Sequence, residues 1–501
     1  MIKLDFSKYQ LGVFDFINND RGNACVEAVA GSGKSTTGLQ AIERIPPVYQ
    51  VQYSSFNKHI VKDLDERLKG LNLRNVKAKT YNSFGAGLMW KYMSIKPTLM
   101  EDKTEIMLKG LLNIHGNTED ANFFYKSKRI ISRLVSLCKN LALMKTVDVN
   151  IQFESIIERY DFEVPKFTRF LEIFLDTYEK CITNTQIIDW DDQKFLPIKL
   201  NFCIPQVDIL IVDEYQDTSP IESILMMKTC ERGRKIVFGD RFQSIYSFKG
   251  TTPNAMQKYI EENQAKVLPL SICYRCPKAA IRAAQKIVPQ IEWAPWAIEG
   301  CEEYIKKAEY HKRVGENDMV LARVTEDLVK SCLKMISEDK AAYIEGKEYG
   351  VNLCYLVDKV ANDDYMRTEV FSDLLNVYYQ EQMSQYKALN REGLALQLES
   401  RYDSLRAIML SRDTDTVGNI KKKIDTIFTT NGSGVRHMTI HKSKGLEGKK
   451  DGDVYVLRPD RIPHPRAKKD WMQEEEQRLK YVAITRTKRG LYWVEKEKDE
   501  K

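Results

Sequence analysis

Between residues 24 and 43 the chain reads "ACVEAVAGSGKSTTGLQAIE", a stretch that restricts the folds open to it. A continuous apolar run stops at two glycines, and a Lys-Ser-Thr helix start follows at once. A strand that is apolar along its whole length needs cover on both faces, which parallel sheets flanked by helices provide. Three further runs have this character: "VDILIVD" at 207–213, "KIVFGD" at 235–240 and "DVYVL" at 453–457. With "ACVEAVA" ending at Ala30, they predict four buried parallel strands of an α/β fold, each leading into a loop or a helix start. Charge-rich stretches of helical character at 86–185 and 347–433, poor in Pro and Gly, read as helical insertions into that scaffold. At 501 residues the chain exceeds what one core organises, so several domains are expected.

Composition narrows function less than fold. Seventy-seven Lys+Arg against 70 Asp+Glu leave +7, an excess that permits a polyanionic partner without identifying one. The N-terminal "MIKLDFSKYQLGVFDFI" is too charged for a secretory signal, and no run of about 18 uncharged apolar residues occurs. A soluble intracellular protein, cytoplasmic or nucleoid-associated, is therefore expected. Of ten cysteines only Cys273 and Cys276 in "CYRC" lie close together, with no second pair or histidine set to complete a zinc site. They read as reduced, mostly buried thiols.

The segment "AVAGSGKS" at 28–35 fits a loop that wraps phosphates, with Ala28 where the strict pattern has glycine. Gly31, Ser32 and Gly33 bring backbone close to the phosphates, and the helix starting near Thr36 offers its N-terminal N–H groups. Lys34 suits the β and γ phosphates of ATP. Ser35 suits Mg²⁺, a hard cation that takes oxygen ligands. In "ILIVDEYQDTSP", Asp213 and Glu214 arrive at the C-terminal end of a strand, where open α/β sheets bind ligands. Asp213 fits the metal and Glu214 a catalytic base, which together indicate a Mg²⁺-dependent ATPase.

With "GDRFQSIYSFKG" following "DEYQDTSP", the sequence resembles the superfamily-1 DNA helicases of the UvrD/Rep/PcrA type. The resemblance implies two RecA-like P-loop motor domains, each with a helical insertion. It places the first motor domain at 1–85 and 186–267 and the second at 268–346 and 434–501. The insertions become 86–185 and a shortened 347–433. It also implies roles. Gln10 in "FSKYQ" matches the adenine-recognising glutamine, and Gln243 the γ-phosphate sensor. Tyr274 and Arg275 in "LSICYRCPKAAI" match the adenine-stacking tyrosine and an arginine that reaches γ-phosphate, with Cys273 in place of a usual asparagine. Glu447 in "MTIHKSKGLEG" falls near the ribose, and Arg486 in "YVAITRTK" on the second arginine finger.

For DNA, the resemblance implies Phe56 and Asn57 in "SSFNK", Thr80, Tyr81 and Asn82 in "TYNSFG", Tyr246 and Phe248, and Thr439 with His441. Asn82 stands where a histidine is usual. Tyr81, Phe84, Tyr246 and Phe248 would stack on unpaired bases, although an aromatic stripe is ordinarily core. The function implied is an ATP-dependent translocase and helicase acting on single-stranded DNA and on duplexes with a single-stranded tail, with 3′→5′ polarity. A remodeller that strips proteins from single strands with little unwinding stays open beside it. A small-molecule kinase leaves "DEYQD", "GDRFQS" and the second arginine unexplained.

Overall fold

The computed structural model of the chain describes residues 5–496, except 56–57, 72, 117, 161, 163, 165–168, 246–249, 252–253, 362, 389–391, 431, 466 and 468. Two compact units emerge, Met1–Val29 with Gly33–Ser271, and Ala30–Ser32 with Ile272–Lys501. Among the described residues no helix is long and apolar enough to cross a membrane.

The first unit is built on a six-stranded sheet. Its strands are β1 (Ala24–Ala28), β2 (Val51–Ser55), β3 (Val76–Thr80), β4 (Ile209–Asp213), β5 (Arg234–Gly239) and β6 (Lys266–Leu270), in the order β3-β2-β4-β5-β1-β6. Every pairing is parallel. Alternate residues feed two cores, as a sheet covered on both faces requires. Val26, Ile209, Ile211, Ile236 and Phe238 pack on one side with helices α1 (Lys8–Asn19) and α2 (Lys34–Glu43). Cys25, Leu210, Val212 and Val237 pack on the other with Tyr81, Phe84 and Leu88 of α3 (Tyr81–Tyr92).

The predicted strands are present with shifted ends. The first stops at Ala28 rather than Ala30, because Gly31 and Gly33 take left-handed φ values of 67° and 77° and the chain turns before them. The others run 209–213, 234–239 and 454–457. Unpredicted strands include β2, "VQYSS", whose Gln52, Ser54 and Ser55 are polar yet buried, and β3, "VKAKT", an edge strand in which only Val76 is buried.

Between β3 and β4 the chain is mainly helical, at Lys103–Lys109, Glu119–Asn140, Thr146–Arg159 and Phe170–Thr183. These helices share one core, with Leu134, Phe153, Phe174 and Tyr178 buried. Within that layer Lys103 reaches Asp192 at 2.7 Å, while Lys139 reaches Asp189 at 2.6 Å and Asp192 at 2.7 Å.

The second unit has a seven-stranded parallel sheet of β7 (Cys301–Lys306), β8 (Met319–Ala322), β9 (Ala342–Glu345), β10 (Phe428–Thr429), β11 (Val435–Thr439), β12 (Val454–Leu457) and β13 (Gly490–Glu495). Its order is β7-β13-β12-β8-β11-β9-β10. Helices at Lys347–Val360, Thr368–Ala388, Glu392–Met409 and Val417–Ile427 lie between β9 and β10. Their Leu353, Phe371, Leu405 and Ile420 join Val320, Val435 and Tyr455 of the sheet in one continuous core.

Candidate nucleotide site

The C-terminal edge of the first unit's sheet carries the chemistry. Strand β1 ends at Ala28, the loop follows, and α2 begins at Lys34 behind Gly33. The N-cap Gly33 has no side chain to cap α2, so no capping side chain satisfies the first N–H groups of the helix. Lys34 Nζ lies 3.5 Å from Glu214 Oε1. Ser32 is buried, and its Oγ has no hydrogen-bond partner. A helix start open to anions and an orphaned loop hydroxyl suit a phosphate group.

Two strands away, β4 delivers Asp213 opposite Ser55 of β2. Its Oδ2 accepts from Tyr53 OH at 2.7 Å and from Ser35 Oγ at 3.3 Å, and its Oδ1 from the Glu214 N–H at 2.9 Å. Burial, then the like charge of Glu214, push the Asp213 carboxyl up to about 6 against the pull of Lys34 and Tyr53. The carboxylate is thus short of positive charge, and Ser35 stands beside it. A divalent cation with oxygen ligands fits this donor pair.

Glu214 occupies the left-handed region at φ 53°, a strained conformation for a glutamate. Gln216 connects it to the next strand. Its Nε2 donates to Glu214 Oε2 at 2.6 Å, and its Oε1 accepts from the Asp240 N–H at 3.0 Å. Asp240 Oδ2 then accepts from Gln243 Nε2 at 2.7 Å. A Cβ at Gly239 would fall 2.6 Å from Gln216 Oε1, so glycine there permits the link. Sequence reasoning missed Gln216, Asp240 and Tyr53; the first two lie inside the quoted motifs, whereas nothing local marks Tyr53.

Gln10 is buried and works as a strut. Its Oε1 accepts from the Ser7 N–H, and its Nε2 donates at 3.1 Å to Thr37 Oγ1, which in turn donates to the Gly33 carbonyl. Ala28 is buried, Thr36 half-buried and Ser35 exposed.

Within the second unit, Arg275 Nε pairs with Glu447 Oε2 at 2.8 Å, and Lys488 Nζ with Glu447 Oε1 at 2.7 Å. Burial works against them, yet Lys488 and Arg275 hold the Glu447 carboxyl below its usual range. Tyr274 stacks on Trp296, with ring centroids 5.7 Å apart. The loop residue Gly31 belongs to this unit. Its carbonyl accepts from the Tyr274 N–H at 2.9 Å, and a Cβ on it would meet Arg275 Cβ at 2.8 Å.

Three residues expected at the site are buried. Arg486, expected as the second arginine finger, is 1% exposed. Its guanidinium donates to the carbonyls of Val482, Ser443 and Leu446 and to Thr485 Oγ1, tying the 443–446 loop to the helix Asp470–Ile484. Tyr81 and Phe84, read as base-stacking, are core residues on the buried face of α3. The Tyr81 hydroxyl lies 3.4 Å from Thr218 Oγ1.

Thr80 caps α3 by accepting from the Ser83 N–H, and Asn82 donates to the Trp190 carbonyl at 2.7 Å. Thr439 caps the short helix Ile440–Ser443. Burial, followed by the Arg323 charge, depresses His441 to about 3, which leaves a neutral imidazole. Phe56, Asn57, Tyr246 and Phe248 lie outside the described residues.

Comparison with known proteins adds to this geometry. The UvrD/REP helicase N-terminal domain matches residues 14–264, and the UvrD-like helicase C-terminal domain matches residues 416–498. The ATP-dependent DNA helicase PcrA of Bacillus subtilis is 32% identical over 127 residues, which are 23% of this chain and 17% of the relative. The ATP-dependent DNA helicase Rep of Buchnera aphidicola subsp. Schizaphis graminum is 24% identical over 305 residues, 56% of this chain and 43% of the relative. This chain thus spans less than half the length of either relative.

Proposed function

Because this chain belongs to the UvrD/Rep family of helicases, we propose that it hydrolyses ATP with Mg²⁺ to move along single-stranded DNA and to open duplexes that carry a single-stranded tail, 3′→5′. The observation that carries this reading is the convergence of Lys34, Ser35, Asp213 and Glu214 on one sheet edge. Ser35 Oγ and the Asp213 carboxylate would hold Mg²⁺, which when bound would supply positive charge for the phosphates. Lys34 leaves Glu214 to meet those phosphates, and Glu214 is then free to take the proton of the attacking water. Gln243 orients the γ-phosphate region, while Asp240 fixes its amide. Gln216 relays the state of Glu214 to that sensor.

By the family resemblance Gln10 and Tyr274 would serve the adenine, Glu447 the ribose and Arg275, paired with Glu447 in this structure, the γ-phosphate, where charge develops during transfer. Arg486 acts through position, by shaping the loop that carries Glu447. The family resemblance gives Phe56, Asn57, Thr80, Asn82, Tyr246, Phe248, Thr439 and His441 as the residues that would contact the DNA. His441 contributes a hydrogen bond there and no charge.

ATPase assays with and without oligothymidylate, beside unwinding of 3′-tailed and 5′-tailed duplexes, test the proposal. Stimulation by the single strand with opening of the 3′-tailed duplex is expected. Hydrolysis indifferent to the single strand would refute it, and stimulation without unwinding would leave a strand-bound remodeller.

A further inference from the structure

The opposite edge of the first unit's sheet, where strands begin, holds a cavity of about 1230 Å³. Asn23 before β1, Tyr49 before β2, Asp208 before β4 and Arg234 at the start of β5 all line it. Since β1 is five residues long, roughly 16 Å of strand separates this edge from the phosphate loop.

The charge in this cavity is one-sided. Arg21, Arg44, Lys228, Arg232, Arg234 and Lys235 line it against two acids, Asp208 and Glu231. None of the six cations forms an ion pair among the described residues. Three of them serve the fold. Arg234 donates to the carbonyls of Phe16, Ile17 and Gly22, Arg44 donates to the Gln40 carbonyl and lies over the Phe14 ring, and Lys235 reaches the Glu231 carbonyl. The other three are barely engaged. Arg21 meets only the Tyr49 hydroxyl, at 3.5 Å, and the side chains of Lys228 and Arg232 hold no hydrogen bond among the described residues. Burial, and the neighbouring charge of Arg21 against that of Asp20, hold the Arg234 guanidinium below its ordinary value.

The lining also carries apolar side chains, with Ile17, Ile45, Ile204 and Ile209 buried and Phe202 half-buried. The volume exceeds the roughly 300–1,000 Å³ of small-molecule sites. A nucleic-acid strand would need open aromatic faces for its bases. The two aromatics here are already engaged: Phe202 packs on Tyr92 at 5.6 Å, and Tyr49 is joined to Arg21. Apolar side chains among cations that form no ion pair with the described residues complement a chain that mixes carboxylates with apolar side chains.

We propose that this cavity docks an acidic peptide segment of a partner protein, with carboxylates on Arg21, Lys228 and Arg232 and an apolar side chain on Phe202 and Ile204. Because the phosphate loop occupies the other sheet edge, docking leaves the nucleotide site open.

The test titrates the full chain into a short fluorescein-labelled peptide of alternating Asp/Glu and Phe/Ile, followed by anisotropy at rising salt. Binding should weaken with salt, and the double variant Arg21→Glu/Arg232→Glu should weaken it by about tenfold or more. Oligothymidylate affinity and ATPase should be unchanged in that variant. Should it melt early, Lys228→Glu, at the C-cap of the helix Pro220–Met227, gives the same comparison singly. Three results would each overturn the proposal: no binding of the peptide, peptide affinity indifferent to charge reversal, or oligothymidylate affinity falling as far as that of the peptide.

Discussion

Two of the places where the first unit buries charge differ in balance. In the helical layer, Lys103 and Lys139 face Asp189 and Asp192, two cations for two carboxylates, with both lysine side chains at 0% exposure. The set is further closed by the Asn184 carbonyl, which accepts from Lys103, and by the N–H groups of Asp189 and Asp192, each donating to the other's carboxylate. Burial opposes it, yet Asp192 and Asp189 hold the Lys139 ammonium above its ordinary value. At the sheet edge, Asp213, Glu214 and Asp240 lie near Lys34, and burial raises both aspartates, as it does Asp192 in the helical layer. A closed set stabilises a position in the fold, whereas a set short of positive charge is completed by a ligand.

The widest gap between the two should appear on removing one cation from each. Lys139→Ala leaves two buried carboxylates short of a partner and should cost about 3–5 kcal/mol of stability, read from denaturant midpoints. A loss below about 1 kcal/mol would show the helical-layer cluster to be looser than its distances imply. Lys34→Ala should keep its midpoint within about 1 kcal/mol. Its hydrolysis rate should instead fall by about 10²–10³, since the loop loses its cation for the phosphates. Near-normal turnover would remove Lys34 from the site.

Glu214→Gln sharpens the comparison from the acidic side. It should lower hydrolysis by about 10² while ATP stays bound, because the carboxylate acts on water. It should also stabilise the unliganded chain by about 1 kcal/mol near neutral pH, since a like charge beside Asp213 is gone. Unchanged stability would mean that Glu214 and Asp213 are screened from each other. In the balanced cluster Asp189→Asn should do the reverse and destabilise, so the sign of the change separates the two environments.

How far the sequence discloses this depends on whether a residue's role is local. Lys34, Ser35, Asp213 and Glu214 each stand where an apolar run meets a polar stop, a junction visible along the chain. Gln216 and Asp240 meet only because β4 and β5 are neighbours, and Tyr53 reaches Asp213 only through the pairing of β2 with β4. Strand β2 hid behind Gln52 and Ser54, which satisfy each other at 3.2 Å inside the protein. Tyr81, Phe84 and Leu88 are spaced along one helical face, a core signal outweighed by the motif around it. For Arg486 no local signal separates an arginine aimed at a ligand from one spent on its own chain's carbonyls. That difference lies in the 443–446 loop, forty residues upstream.

The smallest effect, and the one that isolates the cation proposed at Asp213, is in pH. With its carboxyl at about 6 in the folded chain against 3.8 ordinarily, Asp213 holds a proton that the unfolded chain has released between those values. Stability from this group is therefore greatest at low pH and lost as pH rises through about 4 to 6, opposite to an ion-paired aspartate. Mg²⁺ must displace that proton to bind, so its affinity should weaken by about tenfold for each pH unit below about 6. Two measurements follow: Mg²⁺ with a non-hydrolysable ATP analogue should raise the melting temperature more at about pH 7.5 than at about pH 5, and calorimetry in buffers of different ionisation enthalpy should detect a released proton near pH 6 but not near pH 8. The Asp213→Asn variant should lose this pH dependence along with the metal. If wild type and Asp213→Asn gain equally from Mg²⁺ at both pH values, the cation is held elsewhere, and the charge deficit at the sheet edge is a structural strain like any other.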